Sequence, residues 1–231
     1  MSYLENKFFL LAITFGIYFF AKLLQKKTGI VLLNPILLAI AAIIVFLKTF
    51  NISYDTYNEG GQLIEFWLKP AVVALGVPLY LQLETIKKQL MPIILSQLAG
   101  CVVGVVSVVV IAKLMDASQA VILSLAPKSV TTPIAMEVTK TIEGIPSLTA
   151  AVVVCVGLLG AILGFKTLKL LRVNSPIAQG LSMGTAAHAV GTSTAMDVSG
   201  KYGAYASLGL TLNGIFTALL TPTILRLLGF L

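Results

Sequence analysis

The chain has 231 residues, of which 58% are hydrophobic and only 11% are charged, and its mean hydropathy is +0.98. Soluble domains are about half apolar and about one quarter charged, so this composition excludes an ordinary soluble core. The net charge of +7 does not indicate nucleic-acid binding, because the basic residues form short clusters at the ends of apolar runs rather than one basic face. The composition predicts a protein embedded in the lipid bilayer, with no nucleic-acid partner.

Six apolar runs predict six membrane-crossing helices, at residues 8–24, 30–46, 67–81, 92–112, 147–165 and 204–225. Each run is close to the length of about 17 to 25 residues that spans hydrocarbon as a helix. Helices are expected because lipid satisfies no open backbone groups, and the alternation typical of a membrane barrel is absent. We therefore predict an all-α polytopic fold, with residues 1–231 as a single membrane domain in which residues 1–115 form scaffold-type helices.

The ends of the first helices predict the orientation of the chain. Lys26 and Lys27 follow the first run where a signal peptide would have its cleavage site, so this run is expected to remain as a helix. Cytoplasmic loops collect Lys and Arg, which places these lysines inside and the N-terminus outside. Lys87 and Lys88, two helices later, lie inside by the same rule. We expect a multi-pass protein of the bacterial inner (plasma) membrane.

Residues 119–141 form an apolar segment that is broken by Pro127 and Pro133. Each proline removes a helix donor and disfavours helix at the residue before it. We predict a re-entrant hairpin of two half-helices that enters and leaves on the outer side, because this keeps the later basic cluster at Lys169 inside. The alternative is a discontinuous helix that crosses fully and places Lys140 inside, and the sequence leaves both open.

A short internal repeat links this segment with a second one. Residues 130–138 read VTTPIAMEV and residues 190–198 read VGTSTAMDV, so that five of the nine positions are identical. Each copy is followed by an apolar crossing helix, and we predict two repeats, residues 116–172 and 173–231, each a broken hairpin plus a helix. Because each repeat crosses the membrane once, the second is inverted. Inverted repeats place a substrate near the midplane, where the broken helices meet.

The residues around the two breaks predict a binding site for a small organic anion. Half-helix starts offer open backbone N–H groups, hydroxyls and a positive dipole end, and a basic side chain inside a membrane usually faces a cavity or a partner. The predicted substrate-binding residues are Lys128, Ser129, Thr131, Thr132, His188, Gly191, Thr192 and Ser193. Supporting roles are predicted for Pro127, Pro133, Glu137, Asp197 and Asn213. Two simpler alternatives remain open: Lys128 reaches the outer surface, and the hydroxyls only bond freed backbone at the breaks.

An enzyme is the competing class, because residues 180–184 read GLSMG and match the serine-nucleophile pattern G-x-S-x-G. A nucleophile elbow needs a strand before Ser182 and a base brought near it, and no stretch of this chain is typical of a strand. Cys101 and Cys155 lie inside apolar runs, without the spacing of metal ligands. We therefore predict no catalytic residue, no metal and no cofactor.

Three stretches carry a resemblance to a known family, residues 125–136 (LAPKSVTTPIAM), 184–192 (GTAAHAVGT) and 70–80 (PAVVALGVPLY). Over essentially its whole length the chain resembles the LrgB/CidB family, the bacterial relatives of the C-terminal half of the plastid glycolate/glycerate transporter. The resemblance implies transport of small monocarboxylates such as pyruvate, glycolate or glycerate. It also implies an alternative, a holin/antiholin-like protein that regulates murein hydrolase export and autolysis, and a small LrgA/CidA-like membrane partner. We further expect a homodimer built on the scaffold helices.

Overall fold

The computed structural model describes residues 6–28, 33, 35–74, 76–81 and 83–231. Those ranges contain helices and the turns between them and no strand, which confirms the predicted all-α class. The chain forms two compact units, Met1–Ala74 and Leu75–Leu231. All of the predicted site residues belong to the second unit.

The first unit contains three described helices, α1 (Lys7–Thr28), α2 (Pro35–Thr49) and α3 (Tyr54–Ala74). The hydroxyls of Thr14 in α1 and Tyr57 in α3 are hydrogen-bonded at 3.0 Å, which ties these two helices together. α2 begins at Pro35, where a missing N–H removes no helical hydrogen bond. Residues 30–32 and Asn34, at the start of the predicted run 30–46, lie outside the described residues.

The described helices of the second unit are α4 (Gly76–Leu81), α5 (Leu83–Lys88), α6 (Leu90–Leu114), α7 (Gln119–Leu125), α8 (Thr132–Thr141), α9 (Pro146–Leu170), α10 (Pro176–Val198) and α11 (Gly200–Leu227). In the described ranges, four helices are long and apolar enough to cross a membrane, namely α1, α6, α9 and α11. The sequence predicted six crossings. Run 30–46 corresponds to α2, which has 15 residues. Run 67–81 corresponds to the end of α3 and to the short α4, and residue 75 lies outside the description. The chain is a multi-pass membrane protein.

Hairpin 1 consists of α7, the turn at residues 126–131, and α8. Pro127 lies in the turn, and Pro133 lies in the first turn of α8, where its missing N–H is tolerated. Ile122 in α7 and Ile142 just after α8 pack in the same apolar cluster, so the second arm returns to the end at which the first arm began. The segment therefore folds back as a helical hairpin, as predicted, and does not run from one end of the unit to the other.

Hairpin 2 is α10, which bends back on itself at Ala187 and His188, where the backbone leaves helical geometry. Met183 and Ala195 are buried in one cluster, although in a straight helix residues so far apart in sequence would be separated by about 18 Å. His188 has a φ of +42°, a conformation that favours glycine and that costs other residues about 1 to 3 kcal/mol. The bend thus lies just before the predicted binding residues Gly191, Thr192 and Ser193.

Hairpin 2 enters the second unit from the end at which α6 begins and α9 ends. Both of its own ends lie there, because Gly180 in its first arm packs against the carbonyl of Tyr202 at the start of α11. Basic residues are exposed at this end, among them Lys87, Lys169 and Arg172. We call it the basic end.

Hairpin 1 enters from the opposite end, which we call the far end. Its residues Ile122 and Ile142 pack there against Leu225, close to the end of α11. Two hairpins that enter from opposite ends, each followed by a long helix, form the arrangement expected of an inverted repeat.

Candidate functional site

The tips of the two hairpins are joined by Asn213, halfway along α11. Its side-chain amide donates one hydrogen bond to the carbonyl of Ser129 in hairpin 1, at 2.9 Å, and one to the carbonyl of Thr185 in hairpin 2, at 3.1 Å. The side chain is only 1% exposed, so water does not compete for these bonds. Asn213 therefore connects the two breaks physically.

A cavity of about 680 Å³ runs from the basic end to the tip of hairpin 1. It lies between α6, the first arm of hairpin 2 and α11. Gln89 and Ser175, which are exposed at the starts of α6 and α10, line its mouth, and Lys128, Ser129 and Asn213 line its deep end. A volume of about 300 to 1,000 Å³ is the range in which proteins bind small molecules.

Lys128 provides the charge of this cavity. No other Lys or Arg, and no Asp or Glu, belongs to the lining residues that the structure describes. The Lys128 ammonium donates to the hydroxyl of Ser129 at 3.1 Å, and no carboxylate in the described ranges pairs with it. A positive charge in membrane sequence is costly unless it meets a partner or water. The deep end of the cavity therefore has a positive charge without a fixed counter-ion, which suits an anion.

Gln97 and Thr185 line the middle of the cavity, and neither was among the predicted site residues. Gln97 is 3% exposed, and its side-chain amide is hydrogen-bonded to the Thr185 hydroxyl, which also lies 2.7 Å from the carbonyl oxygen of Leu181. The amide has no other partner in the described part of the chain, so it retains hydrogen-bonding capacity for a ligand or for water. A glutamine within the apolar run 92–112 was the sequence signal for this position.

His188 lies at the tip of hairpin 2, but it faces α9 and does not line the cavity. Its Nε2 atom is 2.9 Å from the carbonyl oxygen of Val153, and the residue is 4% exposed. Gly157 in α9 makes room for the ring, since a methyl group there would lie 2.7 Å from the Cε1 atom of His188. The structure thus does not bring the two basic tip residues, Lys128 and His188, into one cavity.

The remaining predicted binding residues surround the tips without lining the cavity: Thr131, Thr132, Gly191, Thr192 and Ser193. The two threonines of hairpin 1 form the start of α8. The Thr192 hydroxyl donates to the carbonyl of His188 at 2.9 Å, at the break in the helix. Gly191 is buried where the two arms of hairpin 2 approach each other, and Ser193 is exposed.

The predicted supporting residues other than Asn213 lie at the turn or at the ends of the hairpins. Glu137 is exposed and forms a 3.1 Å ion pair with the exposed Lys140, a pair of the kind that contributes little to stability. Asp197 is exposed at the end of hairpin 2. Pro127 is buried in the tip of hairpin 1, and Pro133 begins its second arm. These residues shape the hairpins and do not face the cavity.

A serine and a cysteine are also among the residues that line the cavity. Ser182 lines it, but the one histidine of the chain faces α9. Cys101 also lines it, with its sulfur 3.5 Å from the hydroxyl of Thr217. Within the described residues, no three His, Cys, Asp or Glu side chains lie close enough together to hold a metal ion.

Comparison with known proteins identifies relatives over almost the whole chain. Residues 14–227 match the LrgB-like family. An uncharacterized protein, YwbG, of Bacillus subtilis (strain 168) is 36% identical over 215 residues, which cover 93% of this chain and 96% of the relative. The antiholin-like proteins LrgB of Bacillus mycoides (strain KBAB4) and Bacillus cereus (strain B4264) are each 35% identical over 207 residues, which cover 90% of both chains. No solved structure matches the chain. The chain belongs to the LrgB-like family.

Proposed function

We propose that this chain is a carrier or facilitator of small monocarboxylates, the class of pyruvate, glycolate and glycerate, in a bacterial inner membrane. The observation that supports the proposal is Lys128, a cation at the deep end of a cavity, without a carboxylate partner among the described residues. A bound anion would supply the missing negative charge. It would also lower the free energy of holding this charge inside the membrane.

The charge and polarity of the cavity favour a monocarboxylate over a more highly charged anion. Lys128 neutralises one negative charge, and the other polar groups at the deep end and middle, on Ser129, Gln97 and Asn213, are neutral. A dicarboxylate would keep an unpaired charge in a region of low dielectric constant, which is strongly unfavourable. The volume of about 680 Å³ leaves room for a short acid together with water molecules.

The charge distribution supports an orientation with the basic end of the second unit in the cytoplasm, and Lys26 and Lys27 in the last turn of α1 separately favour an N-terminus outside. Lys87, Lys169 and Arg172 are exposed at the basic end, and cytoplasmic ends of membrane helices collect such residues. The mouth of the cavity would then face the cytoplasm. An anion approaching from that side meets a positive field that raises its local concentration.

Uptake by proteoliposomes tests the proposal. Purified protein should take up labelled pyruvate or glycolate with saturation, and Lys128→Met should abolish the saturable part because it removes the charge and keeps the length of the side chain. Lys140→Met is the matched control, since Lys140 is exposed at the far end and paired with Glu137. It should transport normally. Equal uptake by both variants, with intact melting curves, would show that Lys128 does not bind the anion.

A second candidate function is antiholin-like control of a membrane pore. The names of the relatives in Bacillus mycoides and Bacillus cereus favour it. In this role the chain, as a homodimer or with a small LrgA/CidA-like membrane partner, would restrain a pore that releases murein hydrolases. The cavity would then have a structural or regulatory use and no transported substrate.

Dye release separates the two candidates. An antiholin should suppress the leakage of large dyes from vesicles that contain the small membrane partner, and short acids should not compete. A carrier should leave dye leakage unchanged and should transport monocarboxylates without the partner. Saturable transport that is lost in Lys128→Met favours the carrier, whereas suppressed leakage without transport favours the antiholin.

A further inference from the structure

We propose that the transport path continues beyond Lys128 between α11 and hairpin 1, and that hairpin 1 moves away from α6 and α11 to open this half of the path to the far end. The inference rests on the transport function proposed above. In the structure the cavity opens at the basic end and stops at Lys128 and Ser129. A substrate that reaches Lys128 from the basic end therefore needs a second opening to leave at the far end.

Apolar side chains fill the closed half of the path. Val109 of α6, Ile122 and Ile142 of hairpin 1, and Leu225 of α11 form one cluster, and each is at most 3% exposed. Hydrophobic constrictions of this kind exclude hydrated ions. The cluster therefore seals the far end while the cavity is open to the basic end.

A stripe of polar residues on α11 continues into this apolar region. Asn213 and Thr217 line the open cavity, and Thr221 follows one turn later on the same face, 0% exposed. The Thr217 hydroxyl has Cys101 as a partner, whereas the Thr221 hydroxyl has no hydrogen-bond partner in the described part of the chain. A buried hydroxyl without a partner is unfavourable, so packing alone would select an apolar residue at this position. We assign Thr221 to the lining of the closed half of the path.

Hairpin 1 is fixed to α9 by buried hydrogen bonds. The hydroxyls of Thr139 in α8 and Thr149 in α9 are 2.8 Å apart, and the Thr149 hydroxyl also lies 2.8 Å from the carbonyl oxygen of Ser124 in α7. The Ser124 hydroxyl in turn accepts a hydrogen bond from the amide of Ile145 at 2.7 Å. Breaking these bonds in a dry environment would leave polar groups unpaired. Hairpin 1 and the start of α9 are therefore expected to move as one body.

The contacts of hairpin 1 with α6 and α11 are of a different kind. Two hydrogen bonds cross to α11 and the residues after it, from Asn213 to the carbonyl of Ser129 at the tip, and from the exposed Gln119 to the carbonyl of Phe230. In the ranges that the structure describes, no other side-chain hydrogen bond crosses on this side, and the clustered buried side chains are apolar. Opening this interface breaks these two hydrogen bonds, one of which is exposed, whereas opening the interface with α9 breaks three. The interface with α11 and α6 is therefore the one that opens.

Cysteine accessibility tests this path with pyruvate as the transported anion. In a chain with Cys101→Ser and Cys155→Ser, Thr221→Cys should react with a charged, membrane-impermeant thiol reagent at least ten times faster during pyruvate transport than without pyruvate. Ser96→Cys, exposed in the open cavity, should react without pyruvate and from the opposite side of the membrane. Thr139→Cys is the matched control, because Thr139 is equally buried but faces α9, and it should stay unreactive throughout.

The outcomes distinguish this path from the transport function itself. If the unmodified protein shows no saturable pyruvate uptake, the proposed function fails. If uptake is normal and depends on Lys128, but Thr221→Cys never reacts during transport or reacts no faster than Thr139→Cys, the path is wrong and the carrier proposal stands. A second measurement uses Ile122→Ala, which thins the seal and should raise non-saturable pyruvate flux several-fold. Unchanged passive flux in that variant would also contradict the assignment.

Discussion

Asn213→Leu is the substitution that tests most directly whether the two hairpin tips are held together. Leucine has the same number and branching of side-chain heavy atoms as asparagine, so the change removes the amide and its two hydrogen bonds and keeps the branched shape. It leaves the carbonyls of Ser129 and Thr185, which now accept from Asn213 at 2.9 and 3.1 Å, without this donor. Because Asn213 is only 1% exposed, water does not replace the lost donor.

The expected loss of stability follows from these two bonds. Hydrogen bonds between membrane helices contribute about 0.6 kcal/mol on average and up to about 1.7 kcal/mol. Two such bonds correspond to about 1 to 3 kcal/mol. For a domain of this size, about 1 kcal/mol shifts the melting temperature by roughly 2 to 4 °C, so we expect Asn213→Leu to lower the melting temperature by about 2 to 12 °C.

Thermal unfolding in detergent measures the effect, and Thr211→Leu provides the matched control. Thr211 lies on the same helix, its side chain is exposed, and its hydroxyl donates only to the carbonyl of Ser207 in its own helix, at 2.9 Å. The melting temperature of Thr211→Leu should stay within about 1 °C of that of the unmodified chain. If Asn213→Leu and Thr211→Leu melt at the same temperature, Asn213 does not stabilise the contact between the two hairpin tips.

Three further substitutions test the bend, the packing and the cavity. In thermal unfolding, His188→Gly should be more stable than His188→Ala by about 1 kcal/mol. Both variants lose the ring, but only glycine relieves the backbone strain at φ +42°. The reverse order of stability would show that the backbone is not strained there. Gly184→Ala should destabilise the fold by about 1 to 3 kcal/mol, because a methyl group there collides with the Ala206 carbonyl. The control is Gly16→Ala, whose methyl group meets nothing within 4 Å and which should stabilise α1 slightly. Gln97→Leu should raise the KM for pyruvate about five-fold, as expected for one hydrogen bond of about 1 kcal/mol to the substrate. It should lower the melting temperature by only about 2 to 4 °C, through the loss of its bond to Thr185. An unchanged KM would exclude Gln97 from binding.

The two breaks differ in how far the sequence predicted them. Pro127 and Pro133 act on the backbone locally, so hairpin 1 followed from the residues themselves. Hairpin 2 has no proline near its bend and was predicted only through the repeat. Its bend lies at Ala187 and His188 because the tip packs against α9 there, where glycines such as Gly157 leave space for its side chains. Such a fit between distant helices has no local sequence signal.

The residues of the cavity show the same limit. Lys128 and Asn213 stood out as polar groups in apolar sequence, and both line the deep end. His188 stood out for the same reason, yet its ring bonds the carbonyl of Val153 on the other side of the tip. Polarity in a membrane segment indicates that a residue avoids lipid, but it does not indicate which side of a hairpin tip the residue occupies. Gln97 was missed because it stands alone in the run 92–112, away from either motif.

If the chain is the proposed carrier, the positions of Lys128 on hairpin 1 and of Asn213 on α11 predict the order of events in transport. When hairpin 1 moves with the start of α9, Lys128 moves with it, while α11 and its polar stripe stay behind. An empty carrier must then move an unpaired positive charge past apolar side chains, which is strongly unfavourable, and a loaded carrier moves a neutral pair. The loaded form should therefore change sides faster than the empty form. Exchange of labelled for unlabelled pyruvate across the membrane should consequently be faster than net uptake. Equal rates would show that Lys128 does not cross the apolar region as an unpaired charge.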